Sequence, residues 1–147
     1  MPNLLTTGIN EIVQPLAKID PASYTTAQNT GWIDISGHYR VAALILVGAI
    51  AASGTFNAKL EAATSAAGAN ATDITGKAIA QQADTADNLL HLIDLEISEL
   101  NFQNQAFTHV RLTLTPATAA TIVGAVLLGY NPRYLPVPQT LYSSVVR

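Results

Sequence analysis

Hydrophobic and polar residues alternate along several short segments of this chain, as they do in strands that bury one face. In residues 91–100 (HLIDLEISEL), the aliphatic side chains of Ile93, Leu95 and Ile97 are separated by polar ones, and residues 107–115 (FTHVRLTLT) repeat the pattern. The polar connector between them, NFQNQA, has the length of a hairpin loop. We therefore predict two half-buried strands that pair with each other in antiparallel fashion.

Residues 39–50 are apolar on both faces, which fits either a buried helix or a central strand that is covered on both sides. The flanking glycines and the lack of a helix cap favour the strand, with a bulge or a close backbone approach at Gly48. Residues 55–63 (TFNAKLEAA) alternate and are expected to be its hairpin partner, although their alanines would also suit a helix. A second wholly apolar strand is predicted over residues 121–130.

Shorter strands are predicted over residues 11–19, 32–35 and 77–82, and the small residues of 64–76 indicate a loop. Together these segments give about seven or eight short strands, with the spacing that is typical of all-β sandwiches and jelly rolls. The predicted fold class is therefore all-β, an antiparallel β-sandwich that is jelly-roll-like.

We expect a single domain over residues 1–147, with its core in about 9–130 and an extended arm at each end. The C-terminal arm, residues 131–147 (NPRYLPVPQTLYSSVVR), contains three prolines, which disfavour helix and central strand alike, and two arginines without an acid. Such an arm docks either on a partner or on its own domain. Because aromatic and arginine side chains are favoured interface anchors, the candidate interface residues are Tyr130, Pro132, Arg133, Tyr134, Tyr142 and Arg147.

Composition narrows the classes of function. Charged residues make up 12% of the chain, against about 25% in a typical soluble protein, which suggests a surface that neighbouring molecules cover. The net charge of -3 and the scattered basic residues argue against a nucleic-acid partner. The apolar runs are shorter than the ~20 residues of a membrane-spanning helix, and the N-terminus does not resemble a secretory signal. We therefore expect a soluble protein without a membrane partner.

No arrangement of residues predicts catalysis. The chain has no cysteine, and its histidines, His38, His91 and His109, do not form a metal-binding motif. Asp94 and Glu96 would lie about 7 Å apart on one strand face, a separation that glycosidase carboxylates also show, but a solvated strand face produces such pairs routinely. We expect a protein that is not an enzyme and has no metal, cofactor or small-molecule substrate.

Three segments together resemble a family of small structural proteins of tailed bacteriophages and prophages. They are residues 31–50 (GWIDISGHYRVAALILVGAI), 55–81 (TFNAKLEAATSAAGANATDITGKAIAQ) and 107–134 (FTHVRLTLTPATAATIVGAVLLGYNPRY). The shared features are an aromatic-x-Asp strand entry, a NAKLEAAT-like strand, a DITGKAI-like segment, a YVRL-like strand and a final LGYNPRY-like turn. None of these features is a catalytic motif.

This resemblance implies a virion protein of the phage head, assembled in the bacterial host cytoplasm, and in particular a capsid cement or decoration protein. Such proteins bind between capsomers and stabilise the head. The implied partners are the major capsid protein and neighbouring copies of the chain, often as a homotrimer. The C-terminal arm and residues 1–8 would then act as clamps on adjacent subunits.

Two other functions are also compatible with the sequence. A head-tail connector or tail protein would share the structural character but occur in fewer copies. A carbohydrate-binding module for host attachment would expose aromatic platforms, for which Trp32 and the five tyrosines are the candidates. Trp32 is expected instead to lie in the core or to plug a sheet edge.

Overall fold

The computed structural model describes residues 8–135 and 137–145, and within them the chain forms two antiparallel sheets that pack face to face. Two short helices accompany the strands. The elements in chain order are α1 (Ile9–Ile12), β1 (Val13–Tyr24), β2 (Gln28–Asn29), β3 (Ile33–Asp34), β4 (His38–Ile50), β5 (Thr55–Ala63), β6 (Thr72–Ala78), β7 (Gln82–Ala83), β8 (Leu90–Glu96), α2 (Ile97–Gln103), β9 (His109–Ala117) and β10 (Thr121–Pro132).

The order of the strands is that of a jelly roll. The first sheet has the order β1-β10-β4-β8, and the second has the order β2-β9-β5-β6, with β3 also beside β9 and β7 beside β5. If β2 and β3 are taken as one interrupted strand, the main strands alternate between the sheets except at β5 and β6, which are neighbours in the second sheet. This is the order of a jelly roll built from two Greek keys. The predicted all-β, jelly-roll-like sandwich is therefore confirmed.

The core lies between the two sheets and is built by alternate residues of each strand. On β9, Val110, Leu112 and Leu114 are fully buried, and Phe56 and Leu60 of β5 meet them from the neighbouring strand. Each of these side chains contributes about 1.5–3 kcal/mol when it leaves water completely. The period of two in the sequence thus identifies the residues that hold the sheets together.

The predicted hairpins are wrong, because the two strands of each predicted pair belong to different sheets. Residues 39–50 and 55–63 do form strands, but β4 lies in the first sheet and β5 in the second, and the same holds for β8 and β9. A tight turn, in which the Gly54 N–H donates to the Ala51 carbonyl over 2.8 Å, carries the chain across the sandwich. Periodicity specifies which face of a strand is buried and not which strand pairs with it.

The strand predicted over residues 91–100 ends early, since α2 begins at Ile97. The helix starts with a capping box in which the Glu99 carboxylate accepts the Glu96 N–H over 3.1 Å. Its buried residues, Ile97 and Leu100, are three apart, and Ile97 also continues the alternation of the strand before it. The alternation therefore concealed the start of the helix.

Other predicted boundaries shift by a few residues. β1 continues to Tyr24, beyond the predicted strand over residues 11–19, and β6 begins at Thr72 inside the predicted loop. Of the two alternatives at Gly48, the structure has the bulge. Val47 and Ile50 are three residues apart on β4, but their partners on β10, Val123 and Thr121, are only two apart, so β4 holds one extra residue there.

Candidate interaction surface

The strands of the first sheet carry hydrophobic side chains on both faces. On β4, Ala43, Ile45 and Val47 point into the sandwich and are at most 1% exposed. The residues between them point away from the second sheet, onto what we call the outer face. Pairing across the sheet aligns Leu44 with Val126 and Leu92, and Leu46 with Leu90, so apolar residues of three strands form adjacent rows.

Several large side chains of the outer face are open to solvent. Leu46 is 63% exposed, Leu90 and Leu92 are each 62% exposed, and Ile122 is 49% exposed. No described strand, helix or arm segment covers them. Contiguous apolar patches of this kind mark interaction sites when they occur on folded proteins.

A shallow depression of about 610 Å³ lies within these rows. Gly124 forms part of its floor, and a Cβ atom there would come within 3.0 Å of the Pro21 side chain. Apolar side chains dominate the lining, while Lys18 and Asp20, which form an ion pair with each other, stand at one rim. The volume falls within the ~300–1,000 Å³ of binding pockets, and the lining suits an apolar protrusion of a partner.

The opposite end of the outer face is polar and closed by its own contacts. The Arg40 guanidinium donates to Asp94 Oδ2 over 2.6 Å, to Glu96 Oε2 over 2.9 Å and to the Tyr130 hydroxyl over 2.8 Å. The Tyr130 hydroxyl in turn donates to Asp94 Oδ1 over 2.5 Å. These four residues lie on three neighbouring strands, β10, β4 and β8, and we call them the arginine network.

The arginine network shifts the pKa values of its members in the directions that preserve its hydrogen bonds, with Asp94 ionised and with Arg40 and Tyr130 protonated. Partial burial alone would raise the pKa of Asp94, but the hydrogen bonds from Tyr130 and Arg40 outweigh it and hold that pKa below its usual range. Burial and the hydrogen bond to Asp94 raise the pKa of Tyr130. The hydrogen bonds to Asp94 and Tyr130 also raise the pKa of Arg40.

Asp94 and Glu96 do share one strand face, as predicted, but both carboxylates bind Arg40. A general acid needs a carboxyl group whose pKa is raised so that it carries a proton. The pKa of Asp94 is lowered. The pair therefore has the character of a structural ion pair and not of a glycosidase dyad.

The predicted interface residues are divided between β10 and the arm. Tyr130 belongs to the arginine network, and Pro132 ends β10 opposite His38. The Arg133 N–H donates to the Gly37 carbonyl over 2.9 Å, and its guanidinium lies 4.7 Å from the centre of the Tyr39 ring. These contacts fix the root of the arm to the sandwich.

Farther along the arm, Tyr134 is 82% exposed and Tyr142 is 40% exposed. Val137 is buried, and its N–H donates to the Glu11 carbonyl over 3.4 Å, which ties the arm to α1. Arg147, the remaining predicted residue, lies outside the described residues, as do residues 1–7, the main part of the predicted N-terminal clamp. The arm is thus partly docked on its own domain and partly exposed.

The histidines occupy three separate environments. His38 is 4% exposed, packs against Gly129, and neither of its ring nitrogens has a hydrogen-bond partner among the described residues. Burial lowers its pKa. His91 lies on β8 and His109 on β9, in different sheets. Within residues 8–135 and 137–145, no three metal-ligating side chains come together.

Trp32 does not form an open platform for a sugar. The Arg111 guanidinium lies 4.5 Å from the centre of its ring, and a Cβ atom at Gly68 would collide with its indole nitrogen. Arg111 is held in turn by Glu61, whose Oε2 accepts its Nε–H over 2.7 Å. The ring is thus half-buried between Arg111 and Gly68.

Comparison of the sequence with family models and with curated proteins finds no match. Among the described helices, none has the length and hydrophobicity that crossing a bilayer requires.

Comparison with solved structures finds chains of the same general shape. A chain of infectious bursal disease virus is 9% identical, over 84% of this chain and 34% of the viral one, with a TM-score of 0.49. A chain of an empty cowpea mosaic virus-like particle is 11% identical, over 99% and 96% of the two chains, with a TM-score of 0.46.

A third similar structure is not viral. The N-terminal endo-1,4-beta-D-xylanase 10B of Clostridium thermocellum, in complex with xylohexaose, is 11% identical over 92% of this chain and 28% of the enzyme, with a TM-score of 0.40. This chain therefore spans about a third of the bursal disease virus chain and less of the xylanase. The jelly-roll assignment rests on the strand order of this chain alone.

Proposed function

We propose that this chain is a structural virion protein of a tailed bacteriophage, which cements or decorates the capsid by binding the major capsid protein through the apolar part of its outer face. The observation that carries the proposal is the uncovered row of leucines on the first sheet. The low content of charged residues, 12% of the chain, supports it. The sequence resemblance supplies the class of particle.

Burial of the outer face on a capsid gives each copy a modest binding energy. Full burial of a leucine or isoleucine side chain contributes about 1.5–3 kcal/mol, and the side chains concerned are already half covered or less. Part of this gain is offset by the cost of association. A protein that binds only the assembled lattice stabilises it by mass action, and the effect accumulates over the many copies.

The arginine network suits the same role because each of its charged groups already has a hydrogen-bonded partner within the chain. Arg40 faces two carboxylates and a hydroxyl within its own chain. A capsid surface that covers the outer face would therefore meet a polar group that is already satisfied. Unpaired charges in that position would oppose binding.

The first experiment is to count the copies of this chain in purified particles of the phage or induced prophage that encodes it. Quantitative mass spectrometry gives the ratio to the major capsid protein, and we expect a value near one to one. About six to twelve copies per particle, the stoichiometry of rings in the neck and tail, would favour the connector or tail alternative. Absence from the particle would overturn a virion role.

A second experiment tests the surface itself. The Leu46→Lys variant places a charge in the middle of the apolar rows and should abolish binding to empty heads in a sedimentation assay. The matched control is Phe102→Lys on α2, since Phe102 is 93% exposed and lies off the outer face. Equal binding by both variants would refute the proposed contact surface.

A further inference from the structure

We propose that two copies of this chain pair through the free edge of β8, so that their first sheets join into one continuous sheet across a two-fold axis. The inference rests on the hydrogen-bonding pattern of that edge and does not depend on the proposed function.

The backbone of β8 offers hydrogen-bonding groups that no described strand uses. The Val47 N–H donates to the Leu89 carbonyl over 2.8 Å, which sets the alternation of the β4–β8 ladder. The odd-numbered residues of β8 therefore bond to β4, while the N–H and C=O groups of Leu90, Leu92 and Asp94 point to the open side. β8 is the last strand of its sheet.

The other edges of the sandwich carry features that prevent such pairing. β1 contains Pro15 and Pro21, and its ladder has two register shifts. The ladder between β6 and β5 has a register shift, and β6 itself contains Lys77 and Gly76, whose φ is 74°. β2 and β3 are two residues long each. Prolines, bulges, lysines and very short strands are the devices that protect edge strands from association.

The β8 edge has none of these devices. The sequence of Leu90–Glu96, LHLIDLE, contains no proline, glycine or lysine, and its ladder with β4 is regular. Leu90 and Leu92 stand directly on the edge and are each 62% exposed. Asp94 and Glu96 are bound to Arg40 of the same chain, so two facing β8 strands would not present bare carboxylates to each other.

A second copy of β8 is the occupant that fits. An antiparallel pair of identical strands satisfies the same groups on both sides, which is the isologous contact of a two-fold dimer. The trimer that the sequence resemblance implies would require contact between two different surfaces of the chain. If β8 paired with a different strand edge, that edge would have to be one of those that are protected against pairing. Pairing also brings the apolar outer faces of the two copies side by side, where Leu90 and Leu92 of each meet their counterparts.

The first test is the mass of the chain in solution, measured by light scattering over a series of concentrations. We expect twice the chain mass of 15.4 kDa. The Leu92→Pro variant removes the Leu92 N–H, which points to the open side, and leaves every hydrogen bond between β8 and β4 in place. It should therefore weaken the dimer by about tenfold or more. Leu92→Thr loses the same side chain but keeps the N–H, and it should weaken the dimer less.

Circular dichroism and a thermal melt show whether Leu92→Pro is folded. If that variant does not fold, Leu92→Lys replaces it, because an edge lysine blocks pairing without a change to the backbone. Leu46→Lys is the control for packing through the outer face instead of the edge, and it should leave the dimer intact. A monomer at about 1 mM, a trimer, or a dimer that only Leu46→Lys dissociates would each overturn the proposal.

A distance measurement tests the arrangement directly. Lys18 on the far edge strand aligns with Val126, Leu44 and Leu92 in one row across the sheet. The chain has no cysteine, so a spin label at Lys18→Cys is unique. Seven strand spacings of about 4.8 Å then separate the two labels, which predicts about 34 Å. A separation below about 15 Å, as expected for pairing through the β1 edges, would contradict the joined sheet.

Discussion

The two faces of β4 are similar in sequence and opposite in environment. Ile45 is fully buried between the sheets, whereas Leu46, the next residue, is 63% exposed on the outer face. The second sheet covers the first of these faces, and no described residue covers the other. Exposed apolar area of this kind marks interaction sites, and this difference is the basis of the proposal that a partner covers the outer face of β4.

The outer face repeats this contrast along its own length. At one end, Arg40, Asp94, Glu96 and Tyr130 satisfy one another, whereas at the other end the leucines have no counterpart in the chain. The polar side chains at one end are paired within the molecule, whereas the apolar side chains at the other end are exposed. Substitutions on the two faces therefore separate what the chain needs in order to fold from what it needs in order to associate.

The largest effect is expected on the inner face. Ile45→Ala removes a fully buried side chain and should lower the free energy of unfolding by about 2–5 kcal/mol. Leu46→Ala is the matched control one residue away and should cost far less, because its side chain is already exposed. Urea denaturation of dilute protein measures both values, and similar losses would mean that the two faces are equally covered.

A somewhat smaller effect is expected where β10 passes His38. A Cβ atom at Gly129 would lie 2.7 Å from the His38 ring, so Gly129→Ala should destabilise the chain by about 1–3 kcal/mol through overpacking. The control is Gly37→Ala, because a Cβ atom at Gly37 meets nothing within 4 Å. Thermal melts compare the two variants, and an unchanged melting temperature for Gly129→Ala would show that His38 can move aside.

The sequence predicts the strands of this fold better than it predicts their partners. Alternation located β5, β8 and β9 because each buries one face in the core. The run of apolar residues and its flanking glycines placed β4 inside a sheet, with a bulge or a close backbone approach at Gly48, and the structure has the bulge. The predicted hairpins were wrong because β4 and β5, like β8 and β9, lie in opposite sheets, and the partner of each strand depends on contacts far apart in the chain.

The candidate surface was only partly predictable. The pattern of β4 predicted a strand that is covered on both sides, whereas in the described residues Leu46 on its outer face is 63% exposed. The arginine network was missed since Arg40 and Tyr130 are 90 residues apart, and no local pattern connects them. The predicted interface residues instead followed composition, which is why Tyr130 was grouped with the arm.

A pH dependence of stability is expected from His38, which belongs to the buried interior. Burial lowers its pKa in the folded state, while in the unfolded state it lies near 6.5. The unfolded chain therefore binds the extra proton, so stability is fully present above about pH 6.5 and falls below it, by at most about 1.4 kcal/mol per pH unit.

Urea denaturation between pH 5 and 7 measures this slope, above the range in which the carboxylates with lowered pKa values, such as Asp94, titrate. His38→Leu should flatten it. A slope that persists in the His38→Leu variant would assign the effect to another group.

The smallest effect on folding, and the sharpest test of the comparison, is expected for Leu46→Lys. A lysine on the exposed face can extend into water, so the free energy of unfolding of the dilute, isolated chain should change by no more than about 0.5 kcal/mol. The same substitution should raise solubility and reduce the binding of a hydrophobic dye, because it interrupts the apolar rows. A loss of several kcal/mol would instead mean that the isolated chain already covers Leu46, and the apolar face would then belong to the core.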